Sequence, residues 1–201
     1  MDADQIINSK EFRKVIDFHG HLCPGIAIGW RAAAAAMDRL AEARARDEEL
    51  VAIVETDACG TDAVQVLTGC TFGKGNFVFR DYGKQVFTFF SRGSGKALRF
   101  AMKTGALERD KTEQAVFDKV HAGNASEEEL NSFKNSRAAK TKKILEMPLE
   151  DLFDVREIAE PAPPAAVVMS SLPCARCGEP TMPSKMESAG SEKICRACAA
   201  M

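Results

Sequence analysis

The spacing of apolar positions along the chain predicts alternating helices and strands. In KEFRKVIDF (10–18) apolar residues recur every three or four positions, which predicts a short amphipathic helix carrying Phe12, Val15, Ile16 and Phe18 toward a core. After HGHLCPG, Pro24 suits the first turn of a long helix running to about Ala45. Its Ala32–Ala36 run combines high helix propensity with no bulk and favours close approach of a neighbour. LVAIVET (50–56) is a short β-branched apolar run and predicts a buried strand. CGTDAVQVLTGC (59–70) has helical spacing, with Ala63, Val66 and Leu67 on one side and Gly69 as its stop.

NFVFRD and QVFTFF, separated by Tyr82-Gly83-Lys84, predict a β-hairpin. KALRFAMKTGAL (96–107) predicts another helix. SEEELNSFKNSRAAKTKKILE (126–146) predicts a charged one, its acidic residues first and its basic residues last, as the helix dipole favours. LFDVREI predicts a last strand. This mixture predicts an α+β core, a mixed sheet with packed helices, rather than a regular βαβ repeat. The Pro/Ala-rich segment EPAPPAAVVMSSLP predicts a linker over 160–173, between a core domain (1–159) and a small terminal module (174–201).

Composition narrows the partners. Apolar residues make up 45% and charged residues 28%, and the net charge is −2. That balance gives no bulk reason to expect nucleic acid or an anionic membrane. No apolar run approaches the ~20 residues that span a bilayer. The opening MDADQIINSKEF has no basic leader or apolar stretch, so the expectation is a cytoplasmic protein.

Seven cysteines in a reducing compartment point to metal, catalysis or burial rather than disulfides. They fall into two groups. Cys174 and Cys177, then seventeen residues, then Cys195 and Cys198 form two C-x2-C pairs. Each pair lets one tight turn offer two thiolates to the same ion, and together they fill a tetrahedral zinc shell with no open position, which predicts structural zinc. So short a segment buries too little surface to fold unaided, and metal would supply much of its folding free energy.

The other group lies in the core. In HGHLCPG, His19, His21 and Cys23 stand at alternate positions and point the same way if extended. Cys23 and Cys59 each precede a helix, where free amides and the dipole favour a thiolate. Asp57 stands just before Cys59. This set has the chemistry of a second transition-metal site, zinc by donor type, or of an activated thiol with a histidine base. Either histidine alone also fits a hydrogen-bonded core residue, Cys70 fits a small buried hydrophobe, and His121 an exposed loop residue. Gly93-Ser94-Gly95-Lys96 lacks the first glycine and the hydroxyl residue of a phosphate loop. The basic run Lys134, Arg137, Lys140, Lys142, Lys143 reads as a solvated helix face.

FHGHLCPG (18–25), DACGTDAVQVLTGCTFGKGN (57–76) and RDYGK (80–84), in this order, resemble the FmdE family of formylmethanofuran dehydrogenase subunits. The paired knuckles match the zinc-finger extension of some members. The resemblance implies an α+β core that forms a homodimer, with a treble-clef finger appended. It also implies an accessory role beside a molybdenum or tungsten oxidoreductase of one-carbon metabolism. By position, its motif residues are His19, His21, Cys23, Asp57, Cys59, Asp62, Gln65, Thr68, Gly69, Cys70, Lys74, Asp81 and Lys84.

Three readings of function follow. The first is a metal-binding accessory protein with a core site of His19, His21, Cys23 and Cys59. The second is a small enzyme using Cys59 or Cys23 as thiolate, His19 or His21 as base, and Asp57 or Asp62 to orient it. In the third the finger reads nucleic acid, which the balanced charge of the tail disfavours.

Overall fold

The computed structural model describes residues 2–201, which divide into two compact units, one running through Ala165 and the other spanning 166–201. The first unit is built on a five-stranded sheet. Its strands are β1 (Leu50–Val54), β2 (Phe77–Phe79), β3 (Val86–Ser91), β4 (Ala97–Met102) and β5 (Phe153–Glu157), in the spatial order β2-β1-β3-β4-β5. β1 and β2 are parallel and the other pairs antiparallel. Helices α1 (Ala3–Asn8), α2 (Lys10–His19), α3 (Pro24–Leu40), α4 (Gly60–Thr68), α5 (Lys111–His121), α6 (Glu127–Glu146) and the single turn α7 (Leu149–Leu152) complete the unit. This is the expected α+β architecture.

β1 is apolar at every position and buried at every position, so it has to lie inside the sheet with both faces covered. Leu50, Ala52 and Val54 join the main core, whereas Val51 and Ile53 join a smaller cluster with Phe90 and Ala97, against which Ile158 and Ala162 pack. That requirement overturns the hairpin expected between β2 and β3. β1 lies between them, with Ala52 opposite Phe77 on one side and Phe89 on the other. A direct β2–β3 pair would leave the most apolar strand at an edge.

The actual hairpin joins β3 and β4, through a turn at Gly95 (φ 71°). The helix expected over 96–107 is therefore the strand β4. Ala, Leu, Met and Lys give the segment a helical composition, but Leu98, Phe100 and Met102 alternate onto the core while Arg99 faces out to Glu55 at 3.4 Å. Sheet pairing overrides the local preference. Phe100 forms edge-to-face contacts with Phe89 (centroids 5.7 Å apart) and Phe153 (5.9 Å).

The helices follow their sequence signals with some differences. In α2, Phe12 and Val15 are fully buried and His19 continues their stripe at the seventh position. Phe18 lies off that stripe and is 59% exposed, contrary to its expected inward position. α3 stops at Leu40 rather than near Ala45, with Ala41 in the left-handed region (φ 53°). α6 starts at a capping box of Ser126 and Glu129. Its last turn is tied to α3 by Arg31, whose Nη1 donates to the carbonyls of Ile144 (2.6 Å) and Leu145 (2.8 Å).

The closest helix–helix approach is that of α3 to α4, at glycines. A Cβ on Gly29 would stand 2.0 Å from the Gly60 carbonyl oxygen, and one on Gly25 2.7 Å from Cys59 Cβ. The second unit pairs β6 (Leu172–Pro173) with β7 (Pro180–Thr181), and β8 (Met186–Ala189) with β9 (Glu192–Cys195), and ends in the one-turn helix α8 (Arg196–Ala199). No helix among the described residues is long and apolar enough to cross a membrane.

Gly29→Ala should lower unfolding free energy by roughly 1–3 kcal/mol in urea titrations, because the methyl group meets backbone that cannot rotate away. Gly73→Ala, with nothing within 4 Å of the added carbon, serves as the neutral comparison. Equal stability of the two variants would show that α3 and α4 can separate freely.

Candidate metal centres

α2 ends at His19 because Gly20, in the left-handed region (φ 92°), caps it. The chain then runs through His21 to Cys23, the N-cap of α3 with Pro24 behind it. α4 begins in the same way at Cys59, after the loop that leaves β1. Crossing at Gly25, Gly29 and Gly60 brings the two helix N-termini together, and with them the two thiols.

His19 is the hub of the core cluster. Its Nδ1 donates to Asp62 Oδ2 at 2.7 Å, and its Nε2 faces Cys23 Sγ at 3.7 Å. The His21 ring lies against it, with centroids 4.5 Å apart. Donor atoms of His19, His21 and Cys23 all lie within 4.8 Å of one another, a set that could hold a metal ion. Cys59 stands beside Cys23 but is not part of that compact set of three.

The electrostatics separate the members. Burial, and then the neighbouring Cys23 thiol, push the Cys59 pKa up, while Arg137 opposes the shift. Partial desolvation, then His19 and Arg137, hold His21 below the ordinary histidine value, which keeps its ring neutral and able to donate a lone pair. Cys23 is buried and His19 nearly so, whereas His21 is exposed.

Asp57, the carboxylate adjoining Cys59 in sequence, is exposed, and among the described residues no hydrogen bond joins it to the cluster. Asp62, one turn into α4, orients His19. The remaining motif residues divide by task. Thr68 Oγ1 donates to the Val64 carbonyl, and the buried Cys70 thiol donates to the Leu50 carbonyl at 3.5 Å, within the packed core. Lys74 Nζ donates to the carbonyls of Ala45 (3.3 Å) and Asp47 (3.0 Å), and Asn76 bridges Asp47, Leu50 and Thr71. These contacts pin the loop that precedes β1. Asp81 and Lys84 are exposed, away from the cysteines in the turn before β3.

A cavity of about 260 Å³ opens beside Cys23 and Cys59. Its far wall includes Arg137 and Lys140 of α6, both half-buried, so part of the basic run read as a solvated face is turned inward. Their helical spacing from Phe133 (i+4 and i+7) is the sequence signal for this. His121 is the last residue of α5 rather than a loop residue, stacked on Phe117 with centroids 3.8 Å apart.

In the second unit the four sulfurs of Cys174, Cys177, Cys195 and Cys198 lie within 4.8 Å of one another. Gly178 (φ 77°) makes the first turn, with its amide donating to the Cys174 carbonyl at 2.8 Å. The Cys195 amide donates to Cys174 Sγ at 3.2 Å, and the Cys198 amide to Cys195 Sγ at 3.4 Å. Amide donation holds Cys174 down at about 6, whereas hydrogen bonding to Cys195, with burial, pushes Cys198 up to about 12. The four thiols cannot all be ionised at neutral pH without a cation among them.

Comparison with known proteins agrees with this architecture. A solved structure from Syntrophus aciditrophicus, an FmdE-like protein of tungsten formylmethanofuran dehydrogenase, has the same fold. Its TM-score is 0.59 at 23% identity, over 96% of this chain and 94% of that one. A curated relative from Archaeoglobus fulgidus, a probable S-adenosyl-L-methionine-binding protein, is 32% identical over 190 residues. The match takes in 91% of this chain and 50% of the relative, so the chain spans about half the length of that protein. Residues 18–154, which contain the His19–Cys23 and Asp57–Asn76 motifs and the whole α3–α4 crossing, match the model described as FmdE, molybdenum formylmethanofuran dehydrogenase operon, and the chain belongs to that family.

Proposed function

We propose that the protein is a metal-binding accessory protein related to the FmdE component of molybdenum or tungsten formylmethanofuran dehydrogenase, with a transition metal in the core and structural zinc in the tail. The observation that carries the reading is His19, held by Asp62 through one ring nitrogen and offering the other to Cys23. A carboxylate that fixes the tautomer and orientation of a histidine in this way is the usual support of a metal-bound imidazole. His21 and Cys23 complete three donors, and Cys59 adjoins them as a fourth ligand candidate. The neutral His21 ring and the two nitrogen and two sulfur donors suit zinc. A zinc ion there would act as a Lewis acid and draw the adjoining thiols into their ionised form.

In the tail, four sulfurs leave no position for substrate, which suits a structural ion. The order knuckle, hairpin, short helix supports a treble-clef finger. Association as a homodimer, and with a molybdenum or tungsten oxidoreductase of one-carbon metabolism, belongs to the same reading and draws on family membership.

A second reading rests on the same contacts. Without metal, Cys23, His19 and Asp62 are ordered as thiol, base and orienting carboxylate. The two readings diverge under iodoacetamide at neutral pH. A metal-loaded core resists alkylation until a chelator is added, whereas a catalytic thiol reacts at Cys23 without one and loses that reactivity in His19→Ala.

Metal analysis of protein purified without added metal tests the main proposal. The full chain should carry about two ions, and residues 1–165 alone about one. His19→Ala should empty the core, and Asp62→Asn should weaken its metal affinity by about 10–100-fold. Finding the 1–165 unit empty while the full chain holds metal only through Cys174, Cys177, Cys195 and Cys198 would overturn the core assignment.

The tail should also be sensitive to acid. Cys174 sits below the ordinary thiol value, so its contribution is complete above that value and disappears as pH falls through about 6. Chelator competition should therefore show tail affinity dropping most steeply between about pH 7 and pH 5, as protons displace the ion. A flat profile across that window would contradict the assignment of Cys174 as the resident thiolate.

A further inference from the structure

The cavity beside the cysteines has two chemically distinct ends. Cys23, Gly25 and Cys59 form one, at the meeting point of the α3 and α4 N-termini. The other is built by the loop before α5 together with α5 and α6, and it is cationic. Arg109, Arg137 and Lys140 all line it, against the single carboxylate of Glu113, which already accepts a hydrogen bond from Ser136 Oγ at 3.0 Å. Among the described residues, none of the three cations forms an ion pair with a carboxylate. The chain as a whole is slightly acidic, so this concentration is local and not a reflection of composition.

The cations are also oriented. The Arg109 guanidinium lies over the Phe117 ring, 3.9 Å from its centroid, and Arg137 lies 5.4 Å from that of Phe133. Stacking holds the guanidinium planes while leaving their N–H edges free, the geometry that receives a planar oxyanion. Lys140 Nζ is anchored by donating to the Leu107 carbonyl at 2.6 Å, which leaves its other protons available. Three like charges around a low-dielectric cleft repel one another, and an anion seated among them removes that cost. At about 260 Å³ the space equals about nine water molecules at ~30 Å³ each, enough for a small molecule.

We propose that this cavity binds a small molecule bearing an oxyanion, a carboxylate or a phosphate, seated on Arg109, Arg137 and Lys140 between the Phe117 and Phe133 rings, with its remainder directed at Cys23 and Cys59. The inference rests on the proposed metal centre only for what that remainder meets. Arg137 links the two ends, being near enough to influence both Cys59 and His21.

Calorimetric titration of the full chain with benzoate, inorganic phosphate, benzyl alcohol and benzylamine tests it, with metal content measured on the same samples. At least one anion should bind, more weakly as salt is raised, and the alcohol and amine should bind at least about tenfold more weakly than that anion. The stronger of benzoate and phosphate identifies the oxyanion. Arg109→Gln and Arg137→Gln should each weaken the anion by about tenfold, the scale of one charge-assisted hydrogen bond. Lys134→Gln, an exposed neighbour outside the cavity lining, should not. Arg109 is exposed, so its substitution tests the site without endangering the fold. Equal binding of charged and neutral probes, no binding of either anion, or indifference to both arginine substitutions would overturn the assignment. Anion binding to protein whose core holds no metal would support this site and count against the metal centre, whereas a metal-loaded core that binds neither anion would do the reverse.

Discussion

Everything at the core site depends on how closely α3 and α4 approach. The two helices meet where Gly25 and Gly29 face Cys59 and Gly60, with no space for a Cβ at Gly29. A larger residue there would push the helices apart and carry the N-caps Cys23 and Cys59 with them. The thiols therefore adjoin because of a backbone contact several residues inside each helix. β1 fixes the other end of the arrangement, since its complete burial anchors the loop from which α4 starts, and Asn76 and Lys74 tie down the loop that enters it.

The stripe that buries α2 then delivers the histidine. Phe12 and Val15 face the core, and a residue seven positions after Phe12 has to emerge on the same side, at the helix end where Gly20 turns the chain. His19 thus reaches Asp62 on α4 and Cys23 on α3 at once. Its two ring nitrogens are used in opposite directions, one held by a carboxylate and the other turned to sulfur, so the histidine serves as the link between two helices as well as a candidate ligand.

Much of this is legible in the sequence, for identifiable reasons. The tail cysteines lie in two tight turns, so local spacing alone brings each pair together, and the β8–β9 hairpin only has to bring the pairs to each other. His19, His21 and Cys23 are likewise neighbours in sequence. Partners distant along the chain are harder to read. Asp57 and Asp62 both flank Cys59, and only the direction of α4 separates them. Arg137 and Lys140 resemble solvent residues because a basic helix face has the same composition whether it meets water or a cleft. The errors in the sheet share one cause. Strand order and the β4 conformation follow from the need to cover β1 on both faces, a constraint between segments that local pattern does not record.

The two cysteine-containing clusters differ in a way that bears on what each can do. In the tail, four sulfurs converge within a unit too small to have a substantial core, and Ile194 and Met186 supply most of its apolar packing. An ion there has a folding role, and its shell leaves nothing over. In the core, β1, α3 and α4 already pack without help, so an ion is not needed to hold the fold. Donors kept together by packing, partly open through His21 and bordered by a cationic cavity, impose a cost in like-charge and buried polar groups that a purely structural element would avoid. A fold that bears that cost beside its tightest helix crossing, while a separate module carries the closed sulfur shell, assigns binding of exchangeable species to the core and architecture to the tail.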